Sequence, residues 1–130
     1  DYQADFPKPC LKKLKDFVGE EKIEAIWNAL HTLPCGKEDD RVTCGVPWDN
    51  MDCGIFLRMY SPETRQSIIF HEDVSAYTIN IALNADDHYK GGDLVALVGG
   101  KKVVVERKEG SCTIHGPNVV HRVEKMREGT

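Results

Sequence analysis

The chain divides into a first part whose apolar residues recur at helical spacing and a longer second part in which they alternate. Over residues 9–33, Leu11, Leu14 and Phe17 or Val18 share one stripe. After Gly19, the set Ile23, Ile26, Trp27 and Leu30 repeats the i, i+3, i+4, i+7 spacing of an amphipathic helix. Gly19 predicts a break between two helices, and Pro34 stops the second. Residues 35–54 are rich in Gly, Pro, Asp and Asn and read as loop or irregular strand.

From Gly54 onward the period is two. Candidate strands are 55–60 (IFLRMY), 67–71 (SIIFH), 77–83 (YTINIAL), 93–98 (DLVALV), 102–107 (KVVVER), 111–115 (SCTIH) and 119–124 (VVHRVE). Turn signals separate them: Ser61-Pro62, Asp86-Asp87, Gly91-Gly92, Gly99-Gly100 and Gly116-Pro117. Short strands about ten residues apart predict a sandwich or double-sheet roll behind N-terminal helices. No internal repeat or low-complexity tract interrupts this order. In the strand at 77–83, Tyr77, Ile79, Ile81 and Leu83 make an apolar face, and Thr78, Asn80, Ala82 and Asn84 a small polar one. A sheet that takes helices on one side and lines a polar cavity with the other fits this alternation.

Composition narrows the class only a little. At 130 residues and 41% hydrophobic, the chain is one domain with a modest core. A net charge of −4 and a pI near 5.7 argue mildly against a phosphate-binding surface. Lys101, Lys102, Arg107 and Lys108 read either as a local basic groove or as a solvated hairpin. No apolar run approaches the roughly 18–20 residues of a membrane helix, and no signal-peptide pattern opens the chain. The first residue is Asp1 and not Met, so compartment is not legible from this end. Five cysteines rule out a fully paired internal framework. Cys35, Cys44 and Cys53 recur every nine residues, each before a Gly, but without the CxxC pair of a zinc site. Scattered thiols or a single disulfide both remain open.

The chemistry concentrates where "IIFHEDVSAYTINIALN" places His71 and Asp73 two apart at the mouth of an apolar strand. Residues two apart share a face, so His71 and Asp73 point one way and Glu72 the other. A third ligand has to be a histidine. His31 lies in the last helical turn and His88 in a turn, which leaves His115 and His121 on late strands. His121 shares a face with Val119 and Val123. Two His and one carboxylate on one side of a metal leave three positions open, the arrangement used by non-haem Fe(II) oxygenases.

The stretches "FLRMYSPETRQSIIFHEDVSAYTINIALN", "YKGGDLVAL" and "KEGSCTIHGPNVVHRVEKMREGT" resemble the Fe(II)- and 2-oxoglutarate-dependent dioxygenases, closest to the prolyl and lysyl hydroxylase branch. The elements that match are H-x-D at His71 and Asp73, the "TINIALN" strand at 78–84, the turn at Gly91, Gly92 and Leu94, and the segment from Gly110 to His121. They cover residues 55–130. The resemblance implies one oxygenase domain over 1–130, with 9–33 as helical support and 55–130 as a double-stranded β-helix, a cupin-like jelly-roll. It implies Fe(II) held by His71, Asp73 and His121, with 2-oxoglutarate as cosubstrate, O2 as oxidant and ascorbate as an accessory. Tyr60, Thr78 and Asn80 are the implied cosubstrate-binding residues. Ordinary sheet positions are the competing account of those three.

Relatives place an Arg or Lys about ten residues after the distal histidine, and that position falls just past Thr130, as does the last strand of the roll. The expectation is a core truncated at its C-terminus. Arg122, Lys125 and Arg127 are the late cations at hand. The resemblance favours hydroxylation of a C–H bond on a protein lysine or proline side chain. A nucleic-acid base oxygenase on the same core is the first alternative, with Trp48 as a stacking candidate. A non-catalytic jelly-roll binding module is the second.

Overall fold

The computed structural model describes residues 3–7, 13, 16, 18–32, 54–75 and 77–130. The chain is mainly β and forms two units, one spanning Gln3–Arg58 and the other carrying Met59–Thr130.

In the first unit, β1 (Gln3–Phe6) pairs antiparallel with β2 (Ile55–Arg58), Gln3 opposite Arg58 and Phe6 opposite Ile55. The Arg58 guanidinium donates to Gln3 Oε1 and lies 4.6 Å over the Phe56 ring. Helix α1 (Glu20–Thr32) begins where the apolar spacing predicts. Gly19 stands at φ +92°, a left-handed geometry that glycine adopts at little cost, and its carbonyl accepts the first helical bond from Ile23 N at 3.2 Å. Glu20 and Glu21 place negative charge at the positive end of the helix dipole. Leu30 is buried, with Ile23, Ile26 and Trp27 half-buried beside it. Of the expected pair, the second helix is described throughout, and of the first only Lys13, Asp16 and Val18, which are helical. Most of the predicted first helix, the loop at 35–53, Trp48, and Cys10, Cys35, Cys44 and Cys53 lie outside the described residues.

In the second unit the strands form three antiparallel sheets and do not close into a barrel. The largest has the order β3 (Ile68–His71), β9 (His121–Val123), β6 (Leu94–Val98), β7 (Lys101–Val105). A second joins β4 (Thr78–Ile81) to β8 (Cys112–His115), and a third joins β5 (Lys90–Gly91) to β10 (Met126–Glu128). The chain thus leaves the four-stranded sheet after β3, returns for β6 and β7, leaves again for β8 and returns for β9. The continuous apolar run of β6 suits its central place: Leu94, Val95 and Ala96 are buried and pack with Val123 and Met126 into the core. Gly99 and Gly100, at φ +56° and +76°, make the two-residue turn of the β6–β7 hairpin, which needs positive φ at both positions.

The face reading of β4 is half met. Thr78 and Asn80 are half-buried as an inward polar face requires, whereas Ile79, Ile81 and Leu83 are 38%, 49% and 63% exposed. The basic run around β7 divides as well. Lys101, Lys102 and Lys108 are exposed, while Arg107 is half-buried and donates to Tyr89 Oη and the Gly92 carbonyl. Among the described residues no helix is long and apolar enough to cross a membrane.

Candidate metal centre

Three histidines sit at strand ends that meet at one rim. β3 ends at His71, β9 begins at His121, and β8 ends at His115. Antiparallel pairing sets His71 directly opposite His121 across β3 and β9. The register between these strands slips by one residue between Ile68 and His71, a bulge of the kind that re-aims a side chain next to a site. Just past β3, Asp73 returns its carboxylate to the same spot. Among the described residues, His71, Asp73 and His121 are the one group of His, Cys, Asp and Glu side chains gathered at metal-ligating range, with ligand atoms all within 4.8 Å of one another. Glu72 is exposed, as alternation requires.

The hydrogen bonds fix which imidazole nitrogen faces the centre. His71 Nδ1 lies 2.8 Å from the Ile69 carbonyl, His121 Nδ1 3.0 Å from that of Val119, and His115 Nδ1 3.1 Å from that of Gly116. A carbonyl only accepts, so each Nδ1 carries a proton and donates it. In the neutral ring the Nε2 of each histidine is then a lone-pair donor. All three face Asp73: His71 Nε2 is 3.5 Å from Oδ1, and His115 and His121 Nε2 are 3.6 and 3.8 Å from Oδ2. Lone pairs pointing at a carboxylate repel it across these gaps, which are too long for hydrogen bonds. An unpaired acceptor in a buried place costs about 1–3 kcal/mol. A cation held among His71, Asp73 and His121 would offset the repulsion between them. The rings pack closely, with His121 in the middle, 4.3 Å from His71 and 4.5 Å from His115 between centroids.

Asp73 is itself held. The Thr78 hydroxyl donates to Oδ2 at 2.5 Å, and Ser75 Oγ lies 2.9 Å from Thr78 Oγ1. Thr78, expected to meet a cosubstrate, therefore has its hydroxyl engaged with the Asp73 carboxylate. Asn80 follows on the same face of β4, opposite Thr113, and Tyr60 is half-buried just beyond β2. Arg122 pairs with Glu124 and lies 4.8 Å over the Phe70 ring, while Lys125 and Arg127 are exposed. In β10 the buried residue is Met126, so alternation turns Arg127 outward.

Sequence reasoning set His115 aside in favour of His121 and overlooked Ser75. The signal for His115 was its place immediately before the Gly116-Pro117 turn, at the same rim as His71 and His121. Among the cysteines described, Cys112 on β8 is free and exposed, and partial burial pushes its thiol pKa up. No protein-family model matches the chain, and no curated protein or solved structure matches it.

Proposed function

We propose that this chain is an Fe(II)- and 2-oxoglutarate-dependent dioxygenase that hydroxylates a C–H bond on a lysine or proline side chain of a protein or peptide. The observation that carries the reading is the convergence of the His71 and His121 Nε2 lone pairs on the Asp73 carboxylate. Two imidazoles and one carboxylate on one side suit Fe(II) and leave room for exchangeable ligands. The strand order β3-β9-β6-β7, with β4 and β8 paired apart from it, supports a double-stranded β-helix as the parent architecture.

Bound there, iron supplies the O2 chemistry that couples decarboxylation of 2-oxoglutarate, to succinate and CO2, to insertion of one oxygen atom into a C–H bond. The protein's own part is placement. The Ile69 and Val119 carbonyls hold the two rings in the tautomer that presents Nε2. Thr78 fixes the carboxylate, and the nearly buried His121 keeps one side of the centre from water.

The test is succinate release by the full chain with Fe(II), 2-oxoglutarate, O2 and ascorbate. Lysine- or proline-containing peptides are expected to stimulate it above methylated DNA, and His71→Ala is expected to release none. Stimulation by DNA alone transfers the activity to a nucleic-acid base oxygenase. Metal binding without any succinate leaves a non-catalytic binding module.

A further inference from the structure

We propose that the inner face of the β6–β7 hairpin is the docking groove for an extended peptide substrate, and that Lys101 selects a carboxylate side chain a few residues from the target. The inference rests on the function proposed above and names the class of peptide it acts on. The strand register carries it. Residues directly opposite each other in an antiparallel sheet share a face, so His71, His121, Ala96 and Val103 form one row on one side of the four-stranded sheet. Two residues further along β6 and two back along β7, Val98 and Lys101 stand opposite each other on that same side. β3 ends and β9 begins at the histidine row, whereas the hairpin runs on past it to the Gly99-Gly100 turn.

Burial along this face falls in the same direction. In β6, Leu94 and Ala96 are 6% and 8% exposed and Val98 58%, and across from them Val105 is half-buried and Val103 43% exposed. The face is closed in the core and open beyond the histidines, an apolar floor leading out from the candidate metal centre. Laying a chain over such a strip removes apolar surface from water, which is favourable. At its outer end stands Lys101, exposed and, among the described residues, without an ion pair. An ammonium only donates, so the group that complements it is an anion. Lys102 makes the contrast: next in sequence, it turns to the opposite face, 6.0 Å from the Phe70 ring. A phosphate backbone calls for several cations, while one lysine suits one carboxylate. Strands lie about 4.8 Å apart and rise about 3.4 Å per residue, which sets Lys101 roughly 12 Å from His121. An extended peptide covers that span in about three or four residues. The occupant is therefore a peptide with its target residue at the metal and an Asp or Glu at about that separation.

The experiment titrates the full chain, loaded with Co(II) and 2-oxoglutarate, into fluorescently labelled Gly/Ser peptides with one central lysine or proline, and reads anisotropy. A single Glu is moved outward from the target one position at a time, so net charge is constant across the set. Affinity is expected to peak with Glu about three or four residues away, about two- to fivefold above the peptide with Glu adjacent to the target, the size of one exposed ion pair. Lys101→Glu is expected to abolish the peak and to favour Arg at that position instead. Lys102→Glu, the same charge change on the opposite face, is expected to keep it. A flat profile in the wild type, or equal effects of the two variants, overturns the groove. Lys101-dependent binding of methylated DNA without binding of any peptide also overturns it, in favour of a phosphate ligand. Succinate release is measured in parallel with Fe(II) in place of Co(II). Release stimulated alike by every peptide, beside a flat profile, sinks the groove and leaves the proposed function standing. No release with any peptide counts against that function, while the anisotropy profile still decides the groove.

Discussion

Thr78 decides how firmly Asp73 can serve as a ligand. A carboxylate on a turn, two residues beyond the end of β3, has little to restrain it except the hydroxyl that donates to Oδ2 and the Ser75 hydroxyl behind that one. Groups of this kind, which touch a ligand and not the metal, typically change affinity by about 10–100-fold when removed. Thr78→Val keeps the β-branched shape that suits β4 and deletes only the donor. It is expected to weaken Co(II) or Fe(II) binding within that range, while Thr78→Ser stays close to wild type in the same titration. Equal affinities for Val and Ser would show that Asp73 is oriented by something other than this bond. Such a result would return Thr78 to the cosubstrate-facing role that its strand position suggests. Residue identities pointed to the cluster that the strands bring together, since H-x-D singles out His71 and Asp73, and the family resemblance chose His121 over His115. What they did not convey was tautomer. That depends on three backbone carbonyls whose positions exist only after the strands have paired.

At the scale of elements, the turn at Gly91 and Gly92 shows why some strands could be read in advance and others could not. β6, with five residues and continuous apolar character, was plain. β5 has two residues, one of them glycine, and β10 has three with a single apolar side chain, Met126. Neither has enough length to show a period. Their pairing is recorded instead in the glycines. A Cβ on Gly91 would lie 2.2 Å from the Lys125 carbonyl oxygen, and one on Gly92 would lie 2.1 Å from Met126 Sδ, so β10 can approach only where no side chain intervenes. Gly91 and Gly100 share nearly the same left-handed φ, +75° and +76°, but a Cβ on Gly100 meets nothing within 4 Å. Both alanine variants carry the same backbone strain, and Gly91→Ala alone adds a clash with backbone. It is expected to cost about 1–3 kcal/mol more than Gly100→Ala in denaturant unfolding. Equal losses would mean that β10 moves aside freely and that the β5–β10 pair is not a fixed part of the structure. β1 escaped notice for a related reason, since the four residues of "QADF" alternate over too short a run to show a period and become a strand by pairing with β2.

Across the whole 59–130 unit, the candidate metal centre is where separate sheets meet. His71 and His121 belong to the four-stranded sheet, His115 ends a strand of the β4–β8 sheet, and Asp73 is tied to β4 through Thr78. Periodicity assigns each of these residues to a face, but the register that sets His71 opposite His121 depends on a one-residue slip in β3, which no local pattern encodes. An ion bound at this junction would cross-link sheets that the strands themselves leave open. Folding then couples to metal, because the unfolded chain scatters the ligands and binds weakly. At a free metal concentration of one hundred times Kd, the stabilisation amounts to about 2.7 kcal/mol. The midpoint of thermal unfolding is therefore expected to rise on adding Fe(II) under anaerobic conditions, or Co(II), and to return on adding a chelator. Asp73→Ala should show no rise, because it removes the one anion that the imidazoles surround. Amide exchange should slow most in β3, β9 and the β4–β8 pair, the elements that carry or position the ligands. A rise of the same size in Asp73→Ala, or protection confined to a segment remote from β3, β4, β8 and β9, such as the exposed hairpin of β7, would place the ion elsewhere on the chain and leave the converging histidines without a charge to share.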